Sequence, residues 1–485
     1  MFKPQTTRIQ NVSGRRVISR RLKSMLSSFA PVRARLGAKV RRLVRPGSLG
    51  ERFAHAAGWS FAGVVIARLL GIASSVVVAR LLGKEGFGQY GIIQSTAGMF
   101  ETFAGFGLGL TATKFVAQWR YSDPARAGRI LGLSTVAVLT SGTILAAGLL
   151  VGAPWLASRT LAAPQLAGGL RIGALLILLT SFTGAQTGAL VGLEAFKVTA
   201  KINLYAGLAS VPLVVLGVVL LGLDGALWGL TGSAGVNWLL NHFALRRETA
   251  KAGIHLTFRG CLQEMPVLWG FSLPSVMSGM LASPVNWVCS ALLVNQPNGY
   301  AEMGIASAAN QWFYALLFVP RVLARCSIPV LAERLGTNDK AACRKVVGCC
   351  AGLNAAAVVP LVLLGCLFGR RYMMSIYGAG FSEHSTVLIV AMMTAGVLAV
   401  QMPMGQMTAA SGRMWTEMCM NLGWSLVFCG GTWLSLSYGA MGLMSARLVA
   451  YVLHTVWTAG FVFWLLREGK SGRLRCGNEL SNYAA

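Results

Sequence analysis

Residues 205–240 read YAGLASVPLVVLGVVLLGLDGALWGLTGSAGVNWLL, with Asp224 as the only charged side chain. Two apolar runs, 203–222 and 225–245, meet at a short turn around that aspartate. Each is long enough to cross the roughly 30 Å hydrocarbon layer as a helix of about twenty residues. A bilayer leaves no water for unpaired backbone groups, so a run of this kind must be helical. The pair reads as a transmembrane hairpin, and ten further runs of similar length occur along the chain. The expected spans are 57–80, 86–110, 130–152, 167–192, 203–222, 225–245, 268–294, 300–330, 345–368, 384–408, 415–436 and 440–466. Run length and the lack of period-two alternation exclude a transmembrane barrel. The whole chain agrees: of 485 residues 55% are hydrophobic and only 12% charged, and the mean hydropathy is +0.60. The fold class is therefore all-α, a polytopic membrane protein.

The loops carry the orientation. With twelve spans both termini share a side. Placing them in the cytoplasm puts 33 Lys and Arg on the inner side against six outside, namely Arg80, Lys84, Arg159, Arg171, Arg370 and Arg371. That asymmetry obeys the positive-inside rule at every inner loop. Fourteen of the inner charges lie between Lys3 and Arg52. The tail has no apolar h-region of a signal peptide. Ahead of a membrane domain, its expected partner is an anionic lipid surface rather than nucleic acid. The ten cysteines all follow residue 260 and form no CxxC pair, and the five histidines show no ligand spacing. Neither a metal site nor any other cofactor is expected, and no GxxxxGK[ST] phosphate loop is present.

The halves repeat. Gly86-Phe-Gly-Gln-Tyr-Gly-Ile92 opens the second span and Gly299-Tyr-Ala-Glu-Met-Gly-Ile305 the eighth. Gly225-Ala-Leu opens the sixth and Gly439-Ala-Met the twelfth. Six spans per half make corresponding spans point the same way, a parallel repeat about an axis along the membrane normal. The expected organisation is a basic cytoplasmic tail (1–52), a six-helix lobe (53–245), a cytoplasmic linker (246–267), a second six-helix lobe (268–466) and a cytoplasmic tail (467–485), with a central cavity between the lobes.

Several of these stretches resemble a known family. Ala79-Arg-Leu-Leu-Gly-Lys-Glu-Gly-Phe-Gly-Gln-Tyr-Gly91 looks like the opening signature of bacterial polysaccharide-export flippases. Gly105-Phe-Gly-Leu-Gly109, Gly188-Ala-Leu-Val-Gly-Leu-Glu194 and Gly405-Gln-Met-Thr-Ala-Ala-Ser-Gly-Arg413 are similar to later patches of the same proteins. Over about residues 55 to 466 the chain resembles Wzx-like oligosaccharide flippases of the multidrug/oligosaccharidyl-lipid/polysaccharide exporter superfamily. The resemblance implies a bacterial inner-membrane transporter that moves undecaprenyl-pyrophosphate-linked sugar repeats between leaflets. It also implies a polysaccharide polymerase and chain-length machinery as partners.

Such a cargo demands a hydrated cationic cleft. Charges inside spans are costly and usually face one. Five candidates follow: Arg68, Glu101, Arg321, Arg325 and Arg447. Arg68 and Glu101 lie in a hairpin at depths differing by roughly 4–5 Å, so they are expected to form an ion pair or to flank the cargo. Arg321 and Arg325 are four residues apart on one face past Pro320, a spacing that suits bidentate recognition of pyrophosphate. Pro320 and Pro329 should kink the eighth span, and Pro274 and Pro284 should break the seventh beside Asn286. Asn310, Gln311, Asn237 and Asn241 are candidates either for sugar hydroxyls or for helix bridging. Two competing functions stay open. A cation-coupled multidrug exporter should show cavity carboxylates, whereas Glu101 is the one clear intramembrane acid. A polymerase or ligase should show a large outer loop with paired acid–base residues, and no such loop occurs.

Overall fold

The computed structural model describes residues 49–467 apart from 106, 268–279 and 338, and the side chains of 49–62, 64, 325, 326, 329 and 414 also fall outside it. The chain divides into two units, 1–62 and 63–485. Of the first unit only residues 49–62 are described, and they are helical. The second unit is the subject below.

Every regular element among the described residues is helical. The helices of ten residues or more are α1 (Leu49–Ala104), α2 (Leu108–Trp119), α3 (Pro124–Trp155), α4 (Ala167–Gly192), α5 (Phe196–Lys251), α6 (Ala282–Val294), α7 (Gly299–Leu316), α8 (Phe318–Gly336), α9 (Lys340–Tyr377), α10 (Ser385–Ala410), α11 (Met414–Leu434) and α12 (Gly439–Arg467). Seven helical stretches among the described residues are long and apolar enough to cross a membrane.

Two of these are hairpins. In α5 the helix breaks at Leu221 and at Gly222, whose φ of 59° is left-handed and open to glycine. Beyond the break the chain folds back: a Cβ on Gly217 would lie 2.1 Å from the Gly225 carbonyl, and one on Gly229 2.4 Å from the Leu213 carbonyl. Small residues let the arms touch along their backbones. In α1 the break is Gly83, with φ 69°. Contacts with α7 show the reversal. Ser75 accepts a hydrogen bond from Gln311, Lys84 abuts Gly304, and Gly91 abuts Ser307. The chain thus runs down α7 and then up it. The two bends turn seven stretches into nine passes. α6, α7 with α8, and α11 occupy the positions of three further expected spans.

Proline acts differently from the expectation. The eighth span is divided at Leu317, ahead of Pro320. Pro320 has no N–H to give the Leu316 carbonyl, and its ring crowds that carbonyl, so the break falls one residue after Leu316. Pro284 does not break α6. It sits in the first turn, where a missing N–H costs nothing. Pro274 lies outside the described residues. The second span also stops early: α1 ends at Ala104, and Gly107 (φ 63°) precedes α2.

The glycine patches serve packing. A Cβ on Gly88 would meet the Tyr300 carbonyl at 1.8 Å, and one on Gly304 the Lys84 carbonyl at 2.0 Å. The opening segments of the second and eighth spans therefore cross backbone to backbone. A Cβ on Gly188 would meet the Gly109 carbonyl at 2.1 Å, joining two of the signature patches. Arg120 pairs with Glu194 at 2.7 Å beside them.

The two halves share one large core, which includes Ile92 and Leu170 with Phe313 and Leu388. Further bonds cross at the same end. Tyr300 donates to the Leu161 carbonyl at 2.6 Å, Asn295 to the Thr160 carbonyl at 2.7 Å, and Arg80 to the Ile376 carbonyl at 2.6 Å and to Ser375. At the opposite end each half keeps its own small core. One is built on Ala112, Leu131 and Ile254, the other on Leu331, Cys343 and Leu466. The contacts that join the halves gather toward the end bearing Arg80 and reach along α1 as far as Thr102, whose hydroxyl donates to Ser283 of α6 at 2.9 Å. The 246–267 segment is fastened to the first half. Buried Glu264 accepts from Arg126 at 3.1 Å and from Arg129 at 3.1 Å, and His255 and Thr257 run over Gly128 and Gly132.

Candidate functional site

A cavity of about 460 Å³ opens between α1, α6, α7, α8, α10 and α12. Helical spacing delivers its lining. The second arm of α1 contributes Tyr90, Gly91, Gln94, Ser95 and Gly98, steps of three and four that define one face. On α7 the stripe is Ser307, Asn310, Gln311 and Tyr314. Ser283, Asn286 and Ser290 form it on α6. Arg321, Arg447 and Tyr451 complete the wall, and none of the described lining residues is acidic.

Arg447 is held most firmly. It is 3% exposed. Its Nη1 donates to Asn310 Oδ1 at 2.5 Å, and its guanidinium lies 3.8 Å from the Phe313 ring centre. Its Nε is buried without a protein partner. Arg321 is exposed to the cavity and stands 5.6 Å from the Tyr314 ring centre. Arg68, half-buried on the first arm of α1, is within electrostatic reach of Arg321 and Tyr314. No carboxylate forms an ion pair with Arg68, Arg321 or Arg447 among the described residues. Three guanidiniums therefore share one region with nothing to neutralise them. An uncompensated cation at span depth costs at least about 2.5 kcal/mol, a cost that an anionic ligand would remove.

The structure separates the other candidates. Glu101 does not pair with Arg68. It lies beside Thr180 of α4 and is not among the residues that line the cavity. Glu101 follows Gly98 by three residues and Gln94 by seven, so it continues that stripe beyond the last polar lining residue of α1. Arg325 lies on α8, but its side chain is outside the described residues. Asn310 and Gln311 both face the cavity, and Gln311 also bridges to Ser75 at 2.9 Å. Asn237 and Asn241 bridge instead: Asn241 donates to Asn237 and accepts from Thr187 at 3.2 Å. Gln94, Ser95, Ser283, Ser290 and Tyr451 were not singled out from the sequence. Their signal was the recurrence of small and polar residues at steps of three and four within apolar helices.

A family model described as "Polysaccharide biosynthesis protein" matches residues 53–334, more than half of the chain. The chain belongs to the polysaccharide biosynthesis protein family. The relatives of this family member include the "EPS I polysaccharide export inner membrane protein EpsE" of Ralstonia nicotianae. It is 24% identical over 414 residues, covering 84% of this chain and 93% of the relative. The protein of that name from Ralstonia solanacearum is 24% identical over 389 residues, 78% of this chain and 86% of the relative. Among solved structures, an inward-facing multidrug resistance MATE transporter of the MOP superfamily matches with TM-score 0.69. It is 15% identical and covers 83% of this chain and 96% of its own. The lipid II flippase MurJ in an inward closed conformation matches with TM-score 0.65 at 14% identity, over 83% of this chain and 87% of its own. The polysaccharide biosynthesis family member is thus a multi-pass inner-membrane transporter with the MOP-superfamily fold, and its likeness to Wzx-like exporters holds.

Proposed function

We propose that the protein moves lipid-linked oligosaccharide repeat units, with undecaprenyl pyrophosphate as the carrier, from the inner to the outer leaflet for exopolysaccharide, capsule or O-antigen synthesis. The carrying observation is the cavity's charge: Arg321 and Arg447 line it, Arg68 lies near, and no carboxylate is among its described lining residues. Guanidinium binds pyrophosphate bidentately. The neutral stripe of Gln94, Asn286, Asn310 and Gln311 matches sugar hydroxyls, which both donate and accept. The lipid tail can stay in the bilayer. The naming of the Ralstonia relatives as polysaccharide export proteins supports the same reading. A multidrug exporter taking cations would find only repulsion here, and no nucleophile–base arrangement lines the cavity for polymerase chemistry.

The charge asymmetry favours cytoplasmic termini, which places the end bearing the 246–267 segment inside. The basic tail then faces anionic lipids of the inner leaflet.

The test is binding and flipping in proteoliposomes, with a short-chain polyprenyl-pyrophosphate oligosaccharide and a cationic dye as competing probes. The pyrophosphate lipid should bind and flip. Arg321→Ala should weaken its binding about ten- to a hundredfold, the value of one lost charged hydrogen bond, with Arg321→Lys intermediate. Export of the dye without flipping of the lipid would overturn the reading. So would near-normal flipping by an Arg68→Ala, Arg321→Ala double variant.

A further inference from the structure

The polar face of α12 continues past the cavity. Arg447, Tyr451, His454 and Thr458 recur at steps of four, three and four, so they share one side of the helix. The first and second line the cavity. The third and fourth lie one and two turns further along, against α10 and α11. Gln401 of α10, 4% exposed, meets them there, one turn from the cavity-lining Leu398. Its amide nitrogen contacts His454 Nδ1 and lies 3.5 Å from Thr458 Oγ1. The Thr458 hydroxyl donates to the His454 carbonyl at 2.6 Å.

Three polar atoms of this cluster are buried without a protein partner: Gln401 Oε1, His454 Nε2 and Trp457 Nε1. A bridge between helices explains one end of the Gln401 amide and leaves the other orphaned. Buried polar groups are normally satisfied, and exceptions call for a reason. Proton binding supplies one. With Nδ1 accepting from the amide, the imidazole is neutral and carries its hydrogen on Nε2. A proton added at Nδ1 makes both ring nitrogens donors. Turning the Gln401 amide over then sets Oε1 against Nδ1–H, and the oxygen gains the donor it lacks.

We propose that His454, clasped by Gln401 and Thr458, is a proton-binding site in the second half of the transporter, and that its loading shifts the balance between inner-open and outer-open arrangements. This rests on the transporter assignment and not on the identity of the cargo. The step moves one proton from water to Nδ1 and later back to water, with no other bond made or broken. The titratable and charged groups facing His454 are few. On its own helix they are Tyr451 and Arg447. α10 offers neutral Gln401, and α11 offers Met420 and Trp424. Glu417 of α11 lies one turn beyond Met420 on that helix and forms no ion pair with His454 among the described residues. An imidazolium here would stand without a carboxylate, with the Arg447 cation on the same face. Loading therefore disfavours the packing of α12 against α10 seen in this arrangement. A site that binds a proton more weakly in one conformation shifts the population toward the other as it fills.

The experiment uses the full-length protein in liposomes. Spin labels on a non-natural amino acid at the exposed positions 121 and 333 report the separation of the two halves at the end bearing the 246–267 segment. Between about pH 8 and about pH 5, the range in which histidine titrates, the population with the label separation of this structure should fall in the wild type. The shift should vanish in His454→Gln and persist in His242→Gln. A wild type whose distances ignore pH, or a His454→Gln protein that responds like the wild type, overturns the proposal. A second measurement needs no His454 variant. The His454 ring stands perpendicular to Trp457, centroids 5.7 Å apart, close enough for an imidazolium to quench its emission. Acidification should remove a component of fluorescence that Trp457→Phe lacks. Trp238 beside His242 contributes equally to both proteins, so matching titration curves would show that His454 takes up no proton.

Discussion

Arg447 and Glu101 show how far a single residue can be read. A charge in an apolar run is conspicuous because it is expensive, and both stood out for that reason. Their surroundings differ. Arg447 is buried with Asn310 and Phe313 as its neutral supports, whereas Glu101 turns to Thr180. A structural arginine would be stabilised by its neighbours overall. One kept for an anion should be a burden in its absence, since removing an uncompensated buried charge is often neutral or stabilising. Arg447→Met is therefore expected to melt at the wild-type temperature or above while export falls at least about tenfold, the effect of one charged contact. A clear drop in melting temperature would mark Arg447 as structural. Because Arg68 and Glu101 are not paired, exchanging them should leave export as low as Arg68→Ala alone. Recovery of export in the exchanged protein would restore the ion-pair reading.

At the scale of elements, glycine decides where helices bend and how closely they cross. The turn at Gly222 was legible because Asp224 interrupts two apolar runs. The turn at Gly83 was legible from the span count. The crossing of Gly88 over Tyr300 and Gly304 was not, although the repeated motifs containing these glycines were visible. Added methyl groups there have no room, because the obstacle is backbone rather than a movable side chain. Gly88→Ala and Gly304→Ala should each destabilise the purified protein by about 1–3 kcal/mol, the usual cost of overpacking. Gly152→Ala meets nothing within 4 Å and should leave the melting curve unchanged. Equal melting temperatures for all three would mean that the two halves do not meet at this crossing.

For the whole molecule, charge sets orientation and the distribution of cores sets conformation. Reporter fusions at residue 485 and within 296–300 should report opposite sides of the membrane, and agreement between them would break the span count. The proposed contact of the basic tail with anionic lipid would add up to about 1 kcal/mol of surface attraction per basic residue. Deleting residues 2–50 should therefore reduce membrane-surface association yet leave export measurable. Complete loss of export at normal protein levels would give the tail a mechanistic role. The linker is anchored by Glu264 between Arg126 and Arg129. Glu264→Gln should make the 246–267 segment more sensitive to protease, and an unchanged cleavage rate would show that the anchor contributes nothing there.

The sequence by itself determined the all-helical class and the hairpins at Asp224 and Gly83, because a bilayer forbids unsatisfied backbone and so reduces the choice to apolar length and turn chemistry. It also marked the intramembrane charges, since their cost leaves them few. Tertiary structure alone decided that Arg321 and Arg447 share a cavity, that Gln94, Ser95 and Ser283 line it, and that Gln401 reaches His454. These depend on azimuth. A helix fixes the depth of each residue through its rise, but its rotation about its own axis is set by which neighbours it packs against, and those come from distant parts of the chain.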